Sequence, residues 1–432
     1  MKNITLGLLG FGTVGVGVAD GLRKNGALLT RRTGLRFTLG KIADLDWDTP
    51  RDITVDPALT TTDGFSVVQD PGIDIVVELI GGTGVARELI LAALEAGKPV
   101  VTANKALLAR HGAELYRAAA RNNVDLRFEA STGGCIPIVR AIREDLIANR
   151  FAGIYGILNG TCNYILTRME AEQAAFEDVL REAQALGYAE AEPSLDIDGH
   201  DTAHKTTLLA SLLHEAPVAL ESVPVQGIRG LSPEDIRLAG ELGYRIKLLA
   251  RIECDNGDIR AEVRPALIPR HSLLAQVSGP FNAIMVKTDM ADTTLYVGRG
   301  AGRNPTASAV LSDVADVARN MACGCPRRVP GLDSEQPAVA VKSLAQTKAK
   351  YYIRVSHALA DTCPDPVRAC LKKDGLNIES AVTRPLSSGH AAATACVASP
   401  TTEERVRACA ARLKSLQSRH EQPVWMSIQE GL

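Results

Sequence analysis

Long apolar runs, excess charge of one sign and paired cysteines are all missing from this 432-residue chain. No uninterrupted apolar stretch is long enough to span a bilayer. Lysine and arginine number 48 against 50 acidic residues, a formal net charge of -2. No electrostatic case therefore exists for nucleic acid or an anionic membrane as partner. The nine cysteines are an odd, scattered set in which only Cys323 and Cys325 lie close, and none has zinc-type spacing. Free thiols in a reducing, cytoplasmic setting are the expectation. Low-complexity tracts and short-period repeats are absent. What remains is the composition of an enzyme of two or three domains with ample core.

What is present begins at Lys205. It lies in Asp201-Thr-Ala-His-Lys205-Thr-Thr-Leu208-Leu209, and at helical spacing it shares a stripe with the leucines, one turn after Asp201. Glu190, Glu192, Asp196 and Asp198 crowd the approach. Desolvation disfavours an ammonium there and carboxylates favour it, and a group so balanced can act as acid or base. The plain alternative is an amphipathic helix whose lysine stem lines the core while its head snorkels to water.

Residues 4–22 shift that balance. A β-rich run passes through Gly10-Phe-Gly12-Thr13-Val14-Gly15 into a helical pattern. In this spacing the first glycine permits the strand-to-helix turn, the second lets backbone approach a pyrophosphate, and the third lets helix and strand pack closely. The phosphates then meet the helix N-terminus. Lys2 before an apolar run raises a secretory leader, but the glycine spacing, Thr13 and the lack of a small-residue cleavage site argue against one. A glycine turn that binds nothing is the other alternative.

The following segments alternate. Strands are expected at Leu35 to Ala43, Asp74 to Ile80, Pro99 to Ala103 and Val124 to Glu129, with helices at Arg87 to Ala96 and Ala106 to Arg121. Such alternation predicts a Rossmann-type doubly wound parallel sheet with helices on both faces. Asn25 to Gly34 lengthens the first connection, so Asp44, just past the second strand, is the candidate to hold an adenosine ribose. An acid there, followed by Asp46 and no immediate base, favours NAD over NADP, although Lys41, Arg31 and Arg32 could serve a 2′-phosphate if the loop folds back.

Six segments then carry a resemblance: Gly10 to Gly15, Val101-Thr-Ala-Asn-Lys105-Ala, Phe128-Glu129-Ala-Ser-Thr132-Gly-Gly134-Cys-Ile136-Pro, Gly156-Ile-Leu-Asn-Gly-Thr-Cys-Asn163, the acidic stretch to Lys205, and Gly298-Arg-Gly-Ala-Gly302-Arg-Asn-Pro-Thr306. In identity and order they resemble the homoserine dehydrogenases over most of residues 1–320. The resemblance implies reversible, NAD(P)-dependent conversion of L-aspartate 4-semialdehyde to L-homoserine in threonine, methionine and isoleucine biosynthesis. With no kinase segment ahead of residue 1, it implies the monofunctional form.

It further implies Lys205 as the catalytic lysine, with Lys105 a second active-site lysine and Asp201 beside them. Glu190 and Asp196 would hold substrate. Gly12, Thr13, Val14, Ile80, Lys105 and Gly302 would meet the cofactor. Glu129, with main-chain oxygens near Thr132, Gly134 and Ile136, would hold a structural sodium ion. Two other readings stand beside it: a related enzyme for another amino-acid aldehyde, and a catalytically silent amino-acid sensor. The intact Lys105, Glu190, Asp201 and Lys205 set weighs against the silent form.

The chain is thus expected to hold a nucleotide domain at 1–130 completed by 303–330, an α+β catalytic and dimerisation domain at 131–302, and a third domain at 350–432. In the second, Leu242 to Ile252 reads as helix passing into strand, with strands near 261–268, 285–289 and 294–297. The third has a β-α-β-β-α-β pattern similar to an ACT domain, an amino-acid-sensing module. Where that family has a glycine turn before its first helix, Asp361-Thr-Cys-Pro364-Asp365-Pro366 has no glycine, which argues against feedback binding of threonine. The family's sheet pairing implies a homodimer or homotetramer.

Overall fold

The computed structural model describes residues 1–432 except 256, 333–337, 359–370, 374, 387–390 and 414–422. Six strands form a wholly parallel sheet: β1 (Asn3–Leu9), β2 (Arg36–Ala43), β3 (Thr60–Thr61), β4 (Ile75–Glu78), β5 (Val100–Thr102) and β6 (Leu126–Arg127). Their order is β3-β2-β1-β4-β5-β6. The crossover direction reverses between β1 and β4, which opens a crevice at the carboxyl ends of those two strands. Helices cover both faces, so Leu6, Leu8, Ile75 and Val77 are fully buried and the strands read as continuous apolar runs.

Two expectations are corrected here. The helix Thr13–Thr33 runs straight through Asn25, where a lengthened connection was expected. Ala27, Leu28 and Leu29 continue its turns until Gly34, in the left-handed region at φ 75°, donates its N–H to the Thr30 carbonyl at 2.8 Å and ends it. The strand expected from Val124 to Glu129 is only β6, after which the chain coils into a short turn at Glu129–Ser131.

A second sheet has nine strands. It contains β7 (Phe151–Ile157), β8 (Tyr244–Asp255), β9 (Asp258–Pro269), β10 (Phe281–Thr288), β11 (Thr293–Arg299), β12 (Ala349–Ala358), β13 (Ile378–Pro385), β14 (Ala391–Thr401) and β15 (Val424–Ile428). Their order is β11-β10-β7-β8-β9-β15-β12-β14-β13. The helix in the segment read as helix-into-strand ends earlier than expected. It spans Pro233–Glu241 behind a Ser232/Asp235 capping box, and β8 starts at Tyr244 after Gly243. Among the described residues, 371–373 are helical, and the Asp361 to Pro366 turn lies outside them.

The last four strands join the others without a break. Ile428 of β15 pairs in parallel with Leu267 of β9, and the Gln429 N–H donates to the Leu267 carbonyl at 2.9 Å. A second tie between the last four strands and the rest is Arg354 of β12, which binds the fully buried Asp235 at 2.6 Å. Removing one partner of such a pair leaves an uncompensated buried charge. The helix Arg303–Ala322 returns to the first sheet and lies on Thr13–Thr33, where a Cβ on Gly17 would come within 2.9 Å of the Arg303 side chain. Among the described residues no helix is long and apolar enough to cross a membrane. The described cysteines are all free.

Candidate active site

The glycine turn has the shape a phosphate-bearing ligand needs. Gly10 holds φ 96°, and a Cβ there would lie 2.7 Å from the Leu79 carbonyl. A Cβ on Gly15 would strike the Gly10 carbonyl oxygen. Gly12 has open space in front of it and caps the helix without any side chain, so the first-turn N–H groups at Thr13 and Val14 stay available to an anion. These residues therefore fit a dinucleotide.

An open cleft of about 690 Å³ runs from this turn to the second sheet, lined by Val14, Ile80, Lys105, Asn159, Glu190, Asp196, Asp201, Lys205 and Gly302 among others. The two sheets supply opposite walls. Lys105 opens the helix Lys105–Arg121 just past β5, held there because the Asn104 side chain caps that helix by accepting the Leu107 N–H at 3.1 Å. Asp201 and Lys205 sit one turn apart on the helix His200–His214, and Asp196 on the short helix Ser194–Ile197.

The snorkelling alternative for Lys205 fails on burial and partners. The residue is 7 % exposed, and its Nζ donates to Asp201 Oδ2 at 2.7 Å and to the Leu158 carbonyl at 2.7 Å. Lys105 Nζ lies 3.2 Å from the other oxygen, Asp201 Oδ1. One buried carboxylate thus spaces two ammonium groups at the head of the cleft. Burial pushes the Asp201 carboxyl up, but Lys205 and Lys105 outweigh it and hold it well below the usual carboxylate range. Asp196, half-buried beside Asp201, is pushed up by desolvation and by its neighbour's charge.

Sequence reasoning missed the group that keeps these two acids in place. Asn159 Nδ2 donates to Asp196 Oδ1 at 2.7 Å and to Asp201 Oδ2 at 3.0 Å, while its Oδ1 caps the helix Gly160–Glu172 through the Cys162 N–H. Asn282 of β10 was missed as well. Its Nδ2 donates at 2.9 Å to the Leu158 carbonyl that also serves Lys205. Cys162 offers no nucleophile, since burial raises its thiol well above the ordinary range. Glu190 lines the cleft with its side chain exposed and, among the described residues, in no ion pair.

Asp44 follows β2 as expected, but it is occupied. It accepts the Phe11 N–H within the glycine turn and the Asp46 N–H at 2.8 Å. The structure also brings in a base that linear reading overlooked, Arg51, 3.7 Å from Asp44. Arg51 lies over the Phe11 and Trp47 rings, and its Nε, Nη1 and Nη2 donate to the carbonyls of Phe11, Thr49 and Asp46. Lys41 pairs instead with Asp70 at 3.0 Å, and Arg31 and Arg32 lie in the last turn of their helix, far from the glycine turn.

Glu129 is 5 % exposed, and its two oxygens accept the N–H groups of Val139 at 2.8 Å and Arg140 at 2.9 Å. Thr132 and Ile136 are buried beside it, and Gly134 takes φ 63°. Among the described residues no group of three or more His, Cys, Asp or Glu converges on a metal site.

Known proteins match this architecture along its whole length. Residues 10–129 fit the family model for the homoserine dehydrogenase NAD-binding domain, and 137–315 the homoserine dehydrogenase model. A homoserine dehydrogenase of Neisseria gonorrhoeae is 40% identical over 100% of both chains. The crystal structure of a homoserine dehydrogenase from Thiobacillus denitrificans superposes with a TM-score of 0.90 at 40% identity, covering 100% of this chain and 99% of that one. A hyperthermophilic archaeal homoserine dehydrogenase solved in complex with NADPH covers 73% of this chain and 98% of its own, at 26% identity and a TM-score of 0.62. Likeness of this extent, over a dinucleotide turn facing two lysines on one carboxylate, makes the conclusion direct: the chain belongs to the homoserine dehydrogenases, oxidoreductases that bind NAD(P).

Proposed function

We propose that Lys205 is the general acid and base of the reversible interconversion of L-homoserine and L-aspartate 4-semialdehyde. The observation that carries this is the Lys105–Asp201–Lys205 bridge at the head of the cleft. When bound, the nicotinamide supplies or accepts the hydride. In the reducing direction Lys205 gives its proton to the oxygen that gains negative charge as the carbonyl is reduced, and in the other direction it takes that proton back. Asp201, ionised throughout the neutral range, keeps Lys205 and Lys105 aimed at one point. Lys105 adds a second positive charge beside the oxygen or the substrate carboxylate. Purified protein should reduce cofactor only when L-homoserine is present, and an absence of homoserine-dependent turnover defeats the assignment.

Glu190 and Asp196 then take the substrate ammonium. The carboxylate of Glu190 lines the cleft and, among the described residues, makes no ion pair, as a ground-state contact requires. Glu190→Gln should raise KM for homoserine by about tenfold with little change in kcat, because a charged hydrogen bond is lost equally in ground and transition states. An unchanged KM would place Glu190 on the solvated rim.

The ribose end favours NAD over NADP. Asp44 brings negative charge to the end of β2, and the guanidinium of Arg51 already serves three carbonyls. A 2′-phosphate would meet a carboxylate in a partly desolvated turn.

A structural sodium ion at Glu129 and the main-chain oxygens near Thr132, Gly134 and Ile136 is also proposed. A single carboxylate with carbonyl oxygens suits a hard, weakly charged ion better than a divalent one. Wild type should melt higher in sodium chloride than in choline chloride at equal ionic strength, and Glu129→Gln should lose that difference. Equal melting in both salts for wild type removes the site.

The C-terminal strands fit an ACT-like unit, because β15-β12-β14-β13 is the spatial order of a β-α-β-β-α-β module. We expect little inhibition by threonine, and a steep threonine dose-response curve overturns that. A homodimer or homotetramer is proposed from the resemblance, with β11 at one of the two edges of the nine-stranded sheet. Sedimentation showing monomer alone removes it.

A further inference from the structure

The end of β4 holds a carboxylate that the chemistry above leaves unused. Glu78 is fully buried. Its Oε1 accepts the N–H groups of Ile80 at 2.9 Å and Gly81 at 3.0 Å, and its Oε2 accepts the Thr102 hydroxyl at 2.6 Å. Burial pushes the Glu78 carboxyl up, and these donors pull it back. Burying a carboxylate at a strand end is costly unless donors meet it, and here three do.

The connections continue past Thr102. Its Oγ1 also accepts the Asn104 N–H at 3.0 Å, and Asn104 in turn donates from Nδ2 to the Gly82 carbonyl at 2.8 Å while capping the helix that Lys105 opens. The hydrogen bonds close a ring: Glu78 to the Ile80–Gly82 loop, the loop to Asn104, Asn104 to Thr102, and Thr102 back to Glu78. Ile80, Gly81, Asn104 and Lys105 all line the cleft. We propose that Glu78 is a positioning residue with two outputs, one oxygen setting the Ile80–Gly82 wall against the cofactor and the other setting Lys105 through Thr102 and Asn104. This rests on the reading of the cleft as the cofactor and substrate site. Glu78 itself touches neither.

The two oxygens can be tested separately. Glu78→Gln keeps an acceptor for the loop N–H groups but turns an amide donor toward Thr102, whereas Glu78→Met removes both acceptors. Thr102→Val cuts only the path to Asn104. NADH binding, followed by nicotinamide fluorescence without substrate, should be about tenfold weaker in Glu78→Met and within about threefold of wild type in the other two. Glu78→Gln and Thr102→Val should each lower kcat by about tenfold with KM for homoserine little changed, and the double variant should be no slower than either, since both cut one path.

Binding of NADH by wild type checks the cleft reading itself. With that established, wild-type NADH affinity in Glu78→Met, or additive losses of kcat in the double variant, overturns the positioning role. If Glu78→Met does not fold, the decision falls to Glu78→Gln and Thr102→Val. A kcat within about twofold of wild type in both overturns the proposal, because one donor–acceptor pair typically accounts for a larger change.

Discussion

Lys205→Ala should lose about 100- to 10,000-fold in kcat, the usual range for a positioned general acid or base, with a much smaller change in cofactor affinity. The expectation follows from where the lysine spends its contacts. Both of its observed partners, Asp201 and the Leu158 carbonyl, belong to the second sheet's side of the cleft, and none belongs to the glycine turn. The variant also leaves Asp201 with Lys105 and Asn159 as its remaining donors. Some loss of thermal stability should therefore accompany the loss of rate, and cofactor binding measured on the same preparation separates the two. Turnover near that of wild type would remove Lys205 from the chemistry and leave Lys105 as the proton carrier.

The second large effect concerns cofactor choice. Wild type should show a higher kcat/KM with NAD than with NADP, and Asp44→Ala should lower that ratio by about 10- to 100-fold, the worth of one charged hydrogen bond. Asp44 has a second duty, because it accepts the Phe11 and Asp46 N–H groups, so Asp44→Ala should also weaken both cofactors together. Asp44→Asn removes the charge while its single amide oxygen can still accept the Phe11 N–H of the glycine turn, giving up only the Asp46 contact. If wild type prefers NADP, or if neither substitution moves the ratio, Arg51 rather than Asp44 sets the preference. Arg51→Ala would then be the variant that changes it.

The nucleotide half was legible because its signals are local. Glycine spacing, apolar strands and helix periods lie within a few residues of one another, and they marked the Gly10 to Gly15 turn and the alternation around it, whereas Lys105 and Lys205 were assigned as site residues by the family resemblance. What escaped depends on contacts distant in sequence. Arg51 reaches Asp44 only because residues 44–56 fold back over Phe11 and Trp47, and no short window of sequence encodes that return. Asn159 resembles any helix cap until the helix His200–His214 brings Asp201 to it. β7, the strand between β10 and β8, went unnoticed because Gly153 and Gly156 dilute its alternation. Gly153 is small there because the Ile252 carbonyl of β8 lies against it.

The seam between β15 and β9 constrains how the C-terminal unit could ever influence the active site. A module tethered by a loop can swing as a rigid body, but this one shares main-chain hydrogen bonds with the strand next to it and locks Arg354 onto Asp235. Swinging would break the Ile428–Leu267 pairing and strand a buried charge. Torsion is the motion the connection permits. A small change of twist at β12 would pass through β15 and β9 to β8 and β7, and the Leu158 carbonyl that holds Lys205 lies one residue past the end of β7.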